Sequence, residues 1–119
     1  MLHKHETINI AKPDILNKTR DMKNAGYRLV QMHALKDLTL LYSFEKDEKL
    51  VTLSFSAEGA EPVESISSVY SYAFMYENEI KDLFGIDISN INLDFNGHFY
   101  ETVVKMPFRA PESTVKDNG

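Results

Sequence analysis

Cysteine is absent from this sequence of 119 residues. Without cysteine, the chain can supply no disulfide, no thiolate ligand for an iron–sulfur cluster and no thiol nucleophile. Long apolar runs are also missing, because none approaches the ~20 residues that a membrane-spanning helix requires. We therefore expect any association with a membrane to be made through partners.

Positive charge is scarce as well. Lysine and arginine number 13 against 18 aspartates and glutamates, which gives a formal net charge of −5. Because no basic stripe is present, the composition argues against nucleic acid as a partner. Residues 1–6 contain no apolar segment of signal-peptide length, so we expect a cytoplasmic or cytoplasm-facing chain.

Four histidines are candidates for chemistry, and their spacing favours no metal site. His3 and His5 lie two residues apart near the N-terminus, where we expect a disordered tail. His33 is expected on or near the surface of a strand. His98 lies four residues after Asp94 across a turn signal, and we expect this pair to stabilise the turn rather than to relay a proton.

The sequence contains neither a convergent pair of acidic residues nor a glycine-rich loop that would indicate an active site. Glu77 and Glu79 diverge around the same predicted helix, whereas a catalytic carboxylate pair must converge on one site. No glycine-rich loop follows a predicted strand, so no nucleotide cradle is visible. The sequence therefore predicts no catalytic, cofactor-binding or metal-binding residue.

Apolar periodicity predicts an α+β fold in a single domain over residues 1–119. Alternating residues predict strands over 27–35, 39–44 and 50–55, with a short first strand over 7–10. Helical spacing between Pro13 and Gly26 predicts an amphipathic helix over 13–24. We expect a mainly antiparallel sheet of three to five strands, covered by this helix and a second one. The core covers about 7–108, and 110–119 form a flexible tail. In the first strand of the meander, Val30, Met32 and Ala34 are expected on one face and Leu29, Gln31 and His33 on the other.

The second helix is predicted over residues 73–84 and ends at Gly85, a residue that accepts the left-handed conformation of a helix stop. At ~100° per residue, an apolar stripe faces the core: Tyr72, Ala73, Tyr76, Ile80, Leu83 and Phe84. Two interpretations of the opposite side stay open. Either its acids are solvated and its apolar residues lie under a loop, or the side docks on a basic partner surface through Phe74, Met75, Asn78, Glu79 and Asp82.

Residues 76–86, Tyr-Glu-Asn-Glu-Ile-Lys-Asp-Leu-Phe-Gly-Ile, resemble the signature of the 30 kDa subunit of respiratory NADH dehydrogenase (complex I). The residues that carry this likeness are Glu77, Glu79, Ile80, Asp82, Phe84, Gly85 and Ile86. Asn78 stands where the family has arginine, so any ion pair of that arginine is absent here. The likeness covers roughly residues 7–88. From Leu93 to Phe108 the chain is more similar to the small homologue in membrane-bound energy-converting [NiFe] hydrogenases.

This resemblance implies a cofactor-free structural subunit of a membrane-associated multisubunit oxidoreductase. It would dock on a large catalytic subunit, of the 49 kDa or [NiFe] hydrogenase type, beside iron–sulfur subunits. Iron–sulfur clusters and nickel or flavin would then belong to the partners, and the chain would lie peripherally on the cytoplasmic face of the membrane. Two alternatives remain: a free-standing adaptor, and a small-molecule-binding domain, which would need a pocket with converging polar groups.

Overall fold

The computed structural model describes residues 4–96 and 98, which build a four-stranded sheet, a two-stranded ribbon and two α-helices. The elements in chain order are β1 Lys4–Asn9, α1 Ile15–Asn24, β2 Arg28–Ala34, β3 Thr39–Lys46, β4 Lys49–Ser56, β5 Val63–Glu64, α2 Ala73–Phe84 and β6 Ile88–Ser89. A 3-10 turn over Lys12–Asp14 leads directly into α1. The α+β class is confirmed, and both helices lie where the periodicity predicts them.

The main sheet has the strand order β1-β4-β3-β2. Strands β2, β3 and β4 form the predicted antiparallel meander. Strand β1 pairs with β4 in the parallel direction, with Ile8 opposite Leu53. The connection through α1 therefore carries the chain from one edge of the sheet to the other, because β2 lies at the far edge.

The core lies between the sheet and the helices. Alternate residues of β3 and β4 point into it, as predicted, and Tyr42, Phe44 and Leu53 are almost fully enclosed. The ring of Tyr42 meets Phe55 edge-on, with centroids 5.2 Å apart. Helix α1 contributes Ile15, which is also fully buried.

Strand β2 departs from the predicted alternation. Leu29 and Met32 are both buried although they are three residues apart. Leu29 pairs with Phe44 while Gln31 pairs with Ser43, so Val30 is an extra residue that forms a β-bulge. The prediction that Leu29 shares a face with Gln31 was wrong, because the bulge shifts the alternation by one residue.

The rest of the described chain connects these elements. Strands β5 and β6 pair in parallel, with Val63 opposite Ile88, and turns fill the segment between β5 and α2, as predicted.

His5 belongs to β1, which corrects its assignment to a disordered tail. His3, the extended segment predicted over 98–106 except His98, and the tail over 110–119 lie outside the described residues. Neither described helix has the length and apolarity needed to cross a bilayer.

Candidate functional site

Helix α2 ends at Gly85 as the sequence predicts. Gly85 has φ 68°, in the left-handed region, and its N–H donates to the Lys81 carbonyl oxygen at 3.0 Å. An added Cβ would meet no atom within 4 Å, so the positive φ alone accounts for the glycine here. The next residue, Ile86, turns back into the core and is 6% exposed.

The side of α2 that faces the core differs from the predicted stripe. Ala73 and Ile80 are buried, as predicted, but Tyr72, Leu83 and Phe84 are 44%, 59% and 37% exposed. In their place the helix buries Glu77 and Asn78. The helix is thus rotated about its axis by roughly one residue step, ~100°, relative to the prediction.

Tyrosine hydroxyls account for this rotation. Three of them donate hydrogen bonds to carbonyl oxygens on and just before β2: Tyr70 to Tyr27 (2.6 Å), Tyr72 to Leu29 (2.7 Å) and Tyr76 to Val30 (3.1 Å). These carbonyls lie along the edge of β2 that no described strand pairs. Because each tyrosine sets its ring beside the strand and its hydroxyl on the edge, the aromatic side of α2 lies against the edge of the sheet rather than over its face.

Glu77 is fully enclosed and binds the segment that precedes α2. Its Oε1 accepts a hydrogen bond from the Ser65 hydroxyl at 2.7 Å, and its Oε2 accepts one from the Ile66 N–H at 2.8 Å. Burial raises the pKa of this carboxyl from 4.5 to about 7, despite the opposing effect of the two hydrogen bonds. The negative charges of Asp94 and Glu64 raise the pKa further.

Asn78 fastens the segment that follows β6, which corrects the prediction that it points away from the core. It is 1% exposed, and its Nδ2 donates to the carbonyl oxygens of Phe74 and Leu93, both at 2.8 Å. Its Oδ1 accepts from the Phe95 N–H at 2.9 Å. One turn later Lys81 binds Asp94 at 3.0 Å, so two residues of α2 hold this segment against the helix.

One side of α2 contacts neither the core nor the segments that Glu77 and Asn78 bind, and we call it the outer stripe. The outer stripe consists of the exposed residues Tyr72, Met75, Glu79 and Leu83, which recur at spacings of three and four along the helix. Met75 is 45% exposed, and Leu93 beside the helix is 48% exposed. Most exposed large apolar side chains of the described residues therefore lie on or next to α2.

The five predicted contact residues fall on different sides of α2. Met75 and Glu79 lie on the outer stripe, and Asp82 is half-buried at its margin. Phe74 is half-buried and packs against the core, and Asn78 lies inside. Tyr72 and Leu83 belong to the outer stripe although the sequence pattern assigned both to the core, because the rotation of α2 turns them outward.

Two concave surfaces of the described residues are alternative candidate sites. A groove of about 550 Å³ lies between the start of α1 and the β4–β5 loop. Its cation, Lys12, already donates to the carbonyl oxygens of Glu61 (2.6 Å) and Ala57 (3.2 Å). A shallow depression of about 310 Å³ lies on the face of the sheet away from the helices. Within the residues described, no three potential metal ligands come together.

Comparison with protein families gives a match over most of the chain. The family described as "Respiratory-chain NADH dehydrogenase, 30 Kd subunit" matches residues 8–113. This range contains α2 with its signature residues and every other described element except the start of β1. A comparison with curated proteins gave no match.

Proposed function

The chain belongs to the family of the 30 kDa subunit of respiratory-chain NADH dehydrogenase, and from this membership we propose that it is a cofactor-free structural subunit of a membrane-associated multisubunit oxidoreductase. The assembly is an NADH:quinone oxidoreductase or an energy-converting [NiFe] hydrogenase. The chain docks on its large catalytic subunit, peripherally on the cytoplasmic face of the membrane. It holds that subunit in register with the iron–sulfur subunits, which matters because electron tunnelling falls steeply with distance.

The outer stripe of α2 is the observation that carries this proposal. Tyr72, Met75 and Leu83 expose large apolar surfaces along one line of the helix, on the element that bears the family signature. An exposed apolar stripe with polar margins is typical of a helix that lies in the groove of a partner. Ala73 and Ile80 of the same helix lie in the core, whereas Met75, Glu79 and Leu83 are exposed, so these three stripe residues can meet a partner without loss of core packing.

The charges around the stripe indicate the chemistry of the partner groove. Glu79 lies within the stripe, and Asp87 is exposed just beyond the helix. Lys81 is turned away and paired with Asp94, so it does not neutralise these acids. We therefore expect arginine or lysine side chains on the large subunit to face Glu79, with Asp82 at the margin of the contact.

A pull-down from gently solubilised membranes of the native organism tests the proposal. Recovery of a large [NiFe] subunit, a small iron–sulfur subunit and integral membrane subunits would support the hydrogenase form. Recovery of flavin- and NADH-binding subunits would support the NADH dehydrogenase form. A chain that is recovered alone and monomeric would contradict the proposal.

The substitution Met75→Lys tests the stripe itself. It removes apolar surface and sets a cation against a basic groove, so we expect at least tenfold less of the chain in the purified assembly. Because Met75 is 45% exposed, the melting temperature of the isolated chain should change little. Asn24→Lys, an equal charge change at an exposed position of α1, is the matched control. Normal assembly of a folded Met75→Lys chain would exclude the stripe as the docking surface.

A further inference from the structure

We propose that residues 92–96, the segment that runs along α2 after β6, form a latch that the ionisation of Glu77 releases. None of these residues is buried, so polar contacts rather than core packing hold the segment in place. The backbone bends just before the latch and at its last residue, where Asn90 and Asn96 have φ angles of 66° and 54°. A segment with few buried side chains can open without unfolding the domain. The latch is a property of the isolated chain and does not presuppose an assembly.

The closed latch is fastened at two places. At its start, the Asn92 N–H donates to Ser67 Oγ at 2.9 Å, and Asn92 Nδ2 donates to the Ser71 carbonyl oxygen at 3.3 Å. Both acceptors lie in the turns that precede α2. Further along, Asn78 and Lys81 bind the latch to α2 itself. The latch therefore joins the helix to the segment before it.

A directed chain of hydrogen bonds connects the start of the latch to Glu77. The Ser65 hydroxyl donates its hydrogen to Glu77 Oε1, so the Ser67 hydroxyl, 2.8 Å away, must donate to Ser65. Ser67 in turn accepts from the Asn92 N–H. Ser65, Ser67 and Glu77 are all buried. The carboxyl and the latch are thus the two ends of one enclosed network, in which a change at one end affects the other.

The charges around Glu77 oppose its ionisation. Among the described residues no cation pairs with this carboxyl, because Lys81, one turn further along, binds Asp94 instead. The negative charges of Asp94 on the latch and Glu64 on β5 act on Glu77. From β3, Tyr42 is near enough that the charge of Glu77 adds to the effect of burial in raising the pKa of its hydroxyl. Because Asp94 belongs to the latch, an ionised Glu77 repels the latch itself.

Linkage gives the direction of the effect. Burial raises the pKa of Glu77 from its ordinary value of 4.5 to about 7 while the latch is closed. Opening admits water and lowers this pKa, so the open form holds the proton less tightly. The closed latch is therefore most stable below about pH 4.5 and loses stability as pH rises through about 7. Opening also withdraws Leu93, which is 48% exposed beside α2, and the consequence for docking rests on the proposed function.

Amide hydrogen exchange of the isolated full chain, followed residue by residue by NMR, tests the latch. The N–H groups of Asn92 and Phe95 report on it, since they donate to Ser67 and Asn78. The N–H of Tyr42, in the central strand β3, reports on global unfolding. Each rate is divided by the intrinsic rate at the same pH to give a protection factor. From about pH 5.5 to about pH 8 we expect the protection of Asn92 and Phe95 to fall at least tenfold and to stay below that of Tyr42.

Glu77→Gln removes the ionisation and should keep the protection of Asn92 and Phe95 constant over this pH range. Glu6→Gln, the same change at an exposed position of β1, should behave as the natural chain does. Latch amides that exchange no faster than the amide of Tyr42 would overturn the proposal, and so would protection that is constant with pH in the natural chain. A fall that persists unchanged in Glu77→Gln would also overturn it.

Ser67→Ala cuts the network between Glu77 and the latch, and it replaces Glu77→Gln if circular dichroism shows that the glutamine variant does not fold. The substitution leaves the hydrogen bonds of Glu77 to Ser65 and Ile66 in place. Since Phe95 makes no hydrogen bond to Ser67, a purely local effect would leave the Phe95 amide unchanged. We expect its protection at about pH 5.5 to fall at least tenfold. Unchanged protection of Phe95 in the folded variant would overturn the proposal, because the network would then not hold the latch.

Discussion

Glu77 is a carboxyl group enclosed in the core, where an ionised form is costly. Its hydrogen bonds from Ser65 and Ile66 tie the turn before α2 to the second turn of the helix. In the same cluster the Ser67 hydroxyl accepts from the Asn92 N–H at 2.9 Å. One buried acid thus connects three chain segments, and its protonation state affects all of them.

The ionisation of Glu77 should make the free energy of unfolding depend on pH. Its pKa is about 7 in the folded chain against a reference value of 4.5, so folding takes up a proton between these two pH values. The free energy of unfolding should therefore fall as pH rises from about 4.5 to 7. The loss is about 3 kcal/mol, at about 1.4 kcal/mol per pKa unit. Urea denaturation at several pH values measures it.

Glu77→Gln should remove most of this slope, because the amide cannot ionise while its oxygen can still accept from the Ile66 N–H. Glu79→Gln, a change at an exposed position of the same helix, should keep the slope of the natural chain. Equal slopes in the natural chain and Glu77→Gln would mean that Glu77 does not titrate in this window.

Asn78 marks the limit of prediction at the scale of single residues. Helical spacing assigned it to the polar side, since α2 alone gives no reason to bury an amide. Its three hydrogen bonds involve Phe74, Leu93 and Phe95, and two of these partners become neighbours only after the chain has turned back beyond β6. The amide is satisfied by tertiary structure, which the local pattern does not contain.

At the scale of elements, the residues at which helices and strands begin and end could be predicted from the sequence, whereas the side that each element turns to the core could not. Gly85 ended α2 and the alternation of β3 set its core residues, because both signals are local. Apolar periodicity does not predict the rotation of α2, because it treats tyrosine as apolar although the hydroxyl needs a hydrogen-bond acceptor, which the carbonyls at the sheet edge supply. The bulge at Val30 and the parallel pairing of β1 also depend on partner strands and carry no local signature.

Replacing the edge tyrosines tests the orientation of α2. Tyr72→Phe and Tyr76→Phe each delete one hydrogen bond to β2, which should cost about 1 kcal/mol of unfolding free energy per site. The double variant should also associate more readily at high concentration, because the edge of β2 is less well covered. Denaturation and light scattering measure the two effects.

Tyr27→Phe is the control for these variants, since the Tyr27 hydroxyl makes none of the three edge contacts and its carbonyl is the acceptor. It should change stability and association less than either edge variant. Edge variants as stable as the natural chain would indicate that packing alone positions α2.

At the scale of the whole molecule, the fold class and the family could be predicted from the sequence, since the signature of α2 is long, and the family match over residues 8–113 confirms the family. The sequence did not show which surfaces remain uncovered. The outer stripe depends on the rotation of α2, which the hydrogen bonds of Tyr72 and Tyr76 to β2 set. This rotation is a property of the folded domain and not of the helix alone.

Hydrogen exchange of the isolated chain tests whether the edge strand β1 opens independently of the central strands. Strands β3 and β4 lie in the middle of the sheet and bury Tyr42, Phe44 and Leu53, so their amides should exchange only through global unfolding. Among the described strands β1 pairs only with β4, and most of its residues are exposed. Its amides should open locally and exchange at least tenfold faster. Protection of β1 equal to that of β3 would mean that all four strands unfold as one unit, and the edge would then be held by contacts beyond those described.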